Sequence, residues 1–134
     1  SDEDILTSLR RAHLSAHVQS LSTGSLRSDA DGSILDFVVE ESGRNFSLGQ
    51  RQQMCLARAM LRSSCILLLD EATSAVDMET DSLIQKTIRE EFSKHTILCI
   101  AHRISTIMSS DRVCVLDHGK IVSLGSPNEL LQDP

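Results

Sequence analysis

The sequence has few aromatic residues, and its charges form no block of one sign. It contains no Trp, no Tyr and only three Phe among 134 residues, so it lacks the stacking platforms on which single-stranded nucleic acids bind. The net charge is −6, and the basic residues are scattered instead of forming the stripe that a nucleic-acid surface requires. We therefore expect no nucleic-acid partner.

Paired cysteines and long apolar runs are also missing. The four cysteines form no CxxC pair, and Cys65, Cys99 and Cys114 fall within apolar, strand-like runs, where free thiols behave as small buried hydrophobes. This pattern favours a reducing, cytosol-facing compartment over a metal or disulfide role. No signal peptide is visible, and no run approaches the ~20 apolar residues of a membrane span. If the protein works at a membrane, we expect other polypeptide to carry it there.

The N-terminal part reads as helix followed by a polar connector. Residues 1–21 predict one helix, capped by Ser1, on which His13 and His17 lie one turn apart. No further metal ligands lie nearby, so we expect the two histidines on a solvated face. Residues 22–33 are rich in Ser, Gly, Asp and Arg and predict a polar loop.

The remainder alternates between helices and short apolar strands. Ser47 is placed to cap a helix over residues 50–62, and Asp77 one over about 78–94. The apolar runs at 65–69, 96–100 and 112–116 predict strands, the first two buried on both faces. The short joints predict that all three strands are parallel, with right-handed crossovers. The remaining predicted elements are a short helix at 104–109, a hairpin turn at His118-Gly119, a fourth strand at 120–124 and a capping box at 126–129 that starts a terminal helix.

Two acids and a histidine follow the predicted strands directly. In parallel α/β sheets, ligands bind at the carboxyl ends of the strands, where Asp70, Glu71 and His102 fall. An Asp in this place can hold Mg²⁺ through water, an adjacent carboxylate can orient or deprotonate an attacking water, and an imidazole can donate to a phosphate oxygen. The alternative is two acids at an ordinary strand exit and a histidine that is merely satisfied structurally.

A second candidate is the helix start Ser47-Leu48-Gly49-Gln50. A hydroxyl, a close glycine backbone and the first amides of a helix suit a terminal phosphate. Any helix that starts with Ser-x-Gly could bind a phosphate weakly in this way. The order of the candidate segments along the chain is therefore stronger evidence than any one of them.

In that order the motifs resemble the C-terminal portion of an ABC-transporter nucleotide-binding domain. FSLGQ at 46–50 resembles the signature LSGGQ, and CILLLD at 65–70 with Glu71 resembles the Walker B strand with its catalytic glutamate. Ser74-Ala75-Val76-Asp77 is similar to the D-loop, and His102 to the switch histidine. The residues of these motifs are most similar to those of the second nucleotide-binding domain of the C subfamily, the multidrug-resistance-associated type. In that domain the position of Leu48 often carries a bulky residue.

One central motif is missing from these residues. A P-loop needs GxxxxGK[ST], and the one Gly-Lys pair, Gly119-Lys120, is followed by Ile121. There is no Walker A and no room for a Q-loop strand before the signature. The resemblance therefore implies a partial α/β P-loop NTPase domain: residues 1–63 belong to the helical subdomain with the signature, and 64–134 to the RecA-like core.

The resemblance also implies a mechanism in which two domains pair head to tail and sandwich ATP and Mg²⁺. Ser47, Gly49 and Gln50 would touch ATP held by the opposing domain, and Asp77 would communicate between the sites. Asp70 (Mg²⁺, through water), Glu71 (general base) and His102 would serve the nucleotide of their own domain. The complete protein would hydrolyse ATP to drive solute export, with transmembrane domains as partners and this domain on the cytoplasmic face of the membrane.

Three other interpretations remain open. An ABC ATPase of the DNA-maintenance type would share the motifs, but it would have coiled-coil insertions and basic surfaces that this sequence lacks. A truncated, non-hydrolysing chain that binds a partner nucleotide-binding domain fits the sequence. An α/β domain without a nucleotide role fits the composition but does not account for the order of the motifs.

Overall fold

The computed structural model describes residues 1–24, 34–70 and 76–132. Their main elements follow in chain order: α1 Asp2–Arg11, α2 Ser15–Gly24, α3 Leu48–Met60, β1 Ile66–Asp70, α4 Met78–Glu91, β2 Thr96–Ile100, α5 Ile104–Met108, β3 Val113–Asp117, β4 Lys120–Gly125 and α6 Pro127–Leu130. Two 3₁₀ turns, Ile34–Asp36 and Glu41–Gly43, precede α3. No helix within these ranges is both long enough and apolar enough to cross a bilayer.

The N-terminal segment forms two helices, so the prediction of one helix over residues 1–21 is wrong. Ser1 does cap the first helix, as expected, through a capping box with Asp4. The helix ends, however, because His13 takes a left-handed conformation with φ 58°. The amide of His13 donates to Arg10 and that of Leu14 to Leu9, which is the Schellman pattern of a helix C-terminus. His13 therefore lies in the break, and the two histidines do not share a helical face.

A cluster of apolar side chains holds these two helices to α3. The buried members are Leu9, Ala12, Leu14, Val18, Phe46 and Ala57. The ring of His17 packs edge-on against Phe46, with centroids 5.7 Å apart, and its Nε2 is buried, so the expected solvated face is also wrong for this histidine. Outside the cluster, the ion pair between Arg11 and Glu91 joins the end of α1 to the end of α4.

Ser47 caps α3, as predicted, but the helix runs over Leu48–Met60 instead of residues 50–62, and the cap is a capping box. The Ser47 hydroxyl accepts from the Gln50 amide at 3.2 Å, and the Gln50 side chain accepts from the Ser47 amide at 2.8 Å. Ala57 faces the N-terminal cluster, while Leu56 belongs to a second cluster with Leu69, Val76, Ile84, Ile88 and Phe92. Met60 packs against both. The two clusters therefore share one helix.

Strands β1 and β2 form a parallel pair, with Ile66 opposite Thr96 and Asp70 opposite Ile100. Helix α4 is the crossover between them, as expected for a βαβ unit. Leu69 is 9% exposed, whereas Ile66 and Leu68 are each 65% exposed. The prediction that these strands are buried on both faces is therefore wrong for the described residues, which cover one face of the pair.

Strand β3 pairs with β4 and forms a separate antiparallel sheet. The prediction of a third parallel strand is therefore wrong. The predicted hairpin turn is confirmed, because His118 and Gly119 have φ values of 45° and 75°, as a type I′ turn requires. Such a tight turn places β4 beside β3 at once. The capping box of Ser126 and Glu129, with Pro127 at the first helical position, is also confirmed.

Two of the three cysteines predicted to be buried are exposed. Cys65 and Cys114 are open to solvent, and Cys99 is partly buried. Burial raises the pKa of the Cys99 thiol, because an apolar environment disfavours the thiolate.

Candidate functional site

The carboxyl ends of β1 and β2 place two of the predicted site residues on one edge. Asp70 ends β1 opposite Ile100, the last residue of β2, and His102 follows within two residues. Both side chains are exposed. Glu71, the predicted base, lies outside the described residues, as do Ser74 and Ala75 of the D-loop-like segment. Asp70 and His102 therefore lie at the same sheet edge, while the predicted placement of His102 beside Glu71 and the chemical roles of these residues stay predictions.

The first turn of α3 presents a second polar group. In the capping box, the Ser47 oxygen uses a lone pair to accept from the Gln50 amide, which leaves its hydroxyl hydrogen available as a donor. Ser47 is exposed, and Leu48 beside it is 37% exposed. An exposed hydroxyl at the positive end of a thirteen-residue helix is chemically suited to an anionic oxygen.

Gly49 is buried where α3 meets the start of α4. A Cβ at this position would lie 2.5 Å from Thr80 Cγ2 and 3.3 Å from Val76 Cγ1. The first of these distances is too short for any carbon–carbon contact, so only glycine fits without a shift. The approach fixes the first turn of α3 against Val76 and Thr80.

Asp77 caps α4, as predicted. Its carboxylate accepts from the Thr80 amide at 2.9 Å, and this backbone hydrogen bond is the main reason that the pKa of Asp77 is lowered. The side chain is otherwise exposed. The carboxylate is thus held in its charged form at the N-terminus of a helix.

Arg103 makes two bonds that the sequence reasoning missed. Its Nη1 donates to Asp81 Oδ2 and its Nη2 to the carbonyl oxygen of Val76, each at 2.7 Å. The missed signal was the position of Asp81, which shares the buried stripe of α4 with Ile84 and Ile88 at helical spacing. A carboxylate on such a stripe needs a charged partner, and the residue after the candidate His102 supplies it.

Val76 is therefore where three segments of the chain meet. The start of α3 touches it through Gly49, the segment after β2 bonds it through Arg103, and Asp77 follows it directly. Asp70 and His102 occupy the neighbouring sheet edge.

A comparison with protein families gives this arrangement a context. The family model described as "ABC transporter" matches residues 3–74, which is more than half of the chain. The chain belongs to the ABC transporter family.

Individual ABC transporters are similar over the whole chain. ATP-binding cassette sub-family C member 2 of Homo sapiens is 55% identical over 134 residues, 100% of this chain and 8% of that protein. Metal resistance protein YCF1 of Saccharomyces cerevisiae is 53% identical over 133 residues, 99% of this chain and 8% of that protein. The resemblance to the C subfamily is thereby confirmed, and the chain spans about one twelfth of these relatives.

A solved ABC transporter structure supports the same assignment. A bacterial Atm1-family ABC exporter with ATP bound superposes with a TM-score of 0.80 at 34% identity, covering 98% of this chain and 21% of that one. The fold is thus that of an ABC ATPase, an α/β P-loop NTPase with parallel strands and flanking helices.

Proposed function

We propose that these residues are part of the ATP-binding and ATP-hydrolysing domain of a C-subfamily ABC exporter, which couples ATP hydrolysis to solute transport across a membrane. One observation supports this most: Asp70 and His102 share the carboxyl edge of a parallel pair in a chain that resembles, at a TM-score of 0.80, an exporter solved with ATP bound. The proposed partners are an opposing nucleotide-binding domain and the transmembrane domains of the same transporter. They would hold this domain at the cytoplasmic face.

The sheet edge would serve the hydrolysis reaction. The exposed carboxylate of Asp70 is an oxygen ligand of the kind that Mg²⁺ prefers. Mg²⁺ is usually held by one or two carboxylates, water and the substrate's phosphates. When bound, Mg²⁺ would supply charge neutralisation at the phosphates. Glu71 would accept the proton of the attacking water, and His102 would donate to a phosphate oxygen.

The start of α3 would serve the nucleotide of the opposing domain. The Ser47 hydroxyl, the Gly49 backbone and Gln50 stand at the positive helix end and would contact the terminal phosphate. Gln50 also braces Ser47 through the capping box, so the two side chains would act as one unit. Leu48 takes the place of a glycine in the usual signature and adds a partly exposed apolar side chain there.

Glu71→Gln in the complete transporter tests this assignment. We expect ATP binding to remain and steady-state turnover to disappear, because the amide cannot take the proton from water. Glu90→Gln is the matched control, since Glu90 is an exposed carboxylate on α4 paired with Lys86, and it should keep full turnover. Steady-state ATPase activity in Glu71→Gln would contradict the role of Glu71 as the base.

A second candidate function rests on the exposed Ser47 at the start of α3, which would serve a phosphate held by a partner domain. These 134 residues would then act as a non-hydrolysing module that pairs with an intact nucleotide-binding domain. Size-exclusion chromatography with an intact partner domain would show a shared peak under this alternative and two separate peaks otherwise.

A further inference from the structure

We infer that Arg103 is a positioning residue, whose guanidinium holds the segment carrying Asp77 against the segment carrying His102. The inference rests on the proposed function, because both segments are assigned to the nucleotide there. It adds a residue that neither the signature nor the strand-end motifs contain.

The geometry is that of a two-pronged clamp. The two terminal nitrogens of Arg103 donate in different directions, one to the Asp81 carboxylate and one to the Val76 carbonyl, each at 2.7 Å. The side chains of Arg103 and Asp81 are 30% and 10% exposed. Arginine is suited to this task because its planar fork presents several donors in fixed directions.

The bond to Val76 acts on the backbone, and this distinguishes the clamp from an ordinary ion pair. Val76 directly precedes Asp77, the cap of α4, and is 7% exposed. It also touches the first turn of α3, where a Cβ on Gly49 would lie 3.3 Å from it. A shift of Val76 would therefore move Asp77 relative to both His102 and the start of α3.

The bond to Asp81 supplies the charge balance that keeps the clamp in place. Asp81 Oδ2 pairs with Arg103, whereas Asp81 Oδ1 is buried without a hydrogen-bond partner among the described residues. The buried carboxylate therefore depends on Arg103 for its compensating charge. Removing Arg103 leaves a buried charge and releases Val76, and these two effects need separate tests.

The test uses the complete transporter, with ATPase kinetics and thermal unfolding measured on the same samples. For Arg103→Ala we expect kcat to fall about 10- to 100-fold, because small misplacements of reacting groups have effects of this size, while the KM for ATP changes little and the melting temperature falls. For the double variant Arg103→Ala, Asp81→Asn we expect the melting temperature to recover, because the unpaired charge is gone, and kcat to stay low, because Val76 remains unheld. Arg103→Lys should keep the melting temperature and lose part of kcat, since one ammonium replaces the fork.

Arg89→Ala is the matched control, because Arg89 is an exposed arginine on α4, and it should leave both readouts unchanged. Recovery of kcat together with the melting temperature in the double variant would overturn the inference and leave Arg103 as a charge partner only. Wild-type kcat in Arg103→Ala would overturn it as well. Failure of the proposed function would look different, since the wild-type transporter itself would then show no ATPase activity that Glu71→Gln removes.

Discussion

The proposed function would give Gly49 one reason to lack a side chain, and packing gives it another. Its backbone would approach a phosphate in the proposed sandwich, and its Cα already lies against Thr80 within the described chain. The first reason belongs to the nucleotide and the second to helix packing. Substitutions can separate them, because the shortest contact of an added Cβ is with one methyl group, Thr80 Cγ2.

We predict that Gly49→Ala destabilises the domain, by about 1–3 kcal/mol as for other overpacked sites, because the new Cβ would lie 2.5 Å from Thr80 Cγ2. Adding Thr80→Ser removes that methyl group and should restore the melting temperature. ATPase measurements on the complete transporter then decide between the two reasons. If activity returns with stability, packing alone explains the glycine; if it does not, the close approach to nucleotide is supported.

Asp77 makes the stability of the N-terminus of α4 depend on pH. Its pKa is lowered, mainly by the backbone hydrogen bond from Thr80, below the ordinary value of about 3.9. A lowered folded-state pKa means that the carboxylate stabilises the fold above the unfolded-state pKa and loses this contribution as pH falls through the folded-state value. We predict that Asp77→Asn, which can still accept from Thr80, removes this part of the acid sensitivity. Melting temperatures between pH 6 and pH 3 would show a shallower acid slope for the variant, and an unchanged slope would contradict the prediction.

At the scale of elements, the caps were predictable and the partners of the strands were not. Ser1, Ser47, Asp77 and Ser126 each cap a helix through a residue three positions away, so the information is local. The break at His13 is local too, but it uses a left-handed histidine where sequence reasoning looks for glycine. The bond from Arg103 to Asp81 spans 22 residues, and only the folded crossover brings those two side chains together.

Burial of the strands failed as a prediction for a different reason. The apolar runs of β1 and β2 are those of strands covered on both sides, yet Ile66, Leu68 and Leu98 are 65%, 65% and 62% exposed. An apolar run predicts that a strand will be buried, but it does not identify the part of the polypeptide that buries it. The same argument explains the exposed thiols of Cys65 and Cys114. For β3, the tight turn at His118-Gly119 places β4 directly beside it, so β3 pairs with β4 and not with β1 or β2.

We predict that this open apolar face makes the isolated 134-residue chain poorly soluble, because contiguous apolar patches drive association. Threonine is β-branched and favours strand, so replacing Ile66, Leu68 and Leu98 with threonine should preserve the strands and raise the monomer fraction measured by light scattering. Val38→Thr is the control, since Val38 is 77% exposed but lies outside both sheets. A monomeric, cooperative melt of the unmodified chain would contradict the prediction.

At the scale of the whole molecule, the 134 residues contain no GxxxxGK[ST] motif, and the proposed function would give them parts of two nucleotide sites. We predict that the isolated chain neither hydrolyses ATP nor binds it well, because backbone amides of a P-loop supply most phosphate contacts in this class. Isothermal titration calorimetry with ATP and Mg²⁺ should show no binding in the micromolar range. Micromolar binding would mean that the Ser47 helix start and the Asp70 edge hold nucleotide without it.

The shared use of α3 has a consequence for how the molecule opens. Leu56 and Ala57 are neighbours in sequence, yet they belong to different clusters, and Met60 contacts both. Loss of either cluster strips one side of the helix, so local opening of the N-terminal helices should expose the amides of α3 and loosen α4 at the same time. Amide hydrogen exchange of the complete transporter should then show one cooperative unit running through α1, α3 and α4. If α1 exchanges faster while α3 and α4 stay protected, the cooperative unit would instead contain α3 and α4 but not α1.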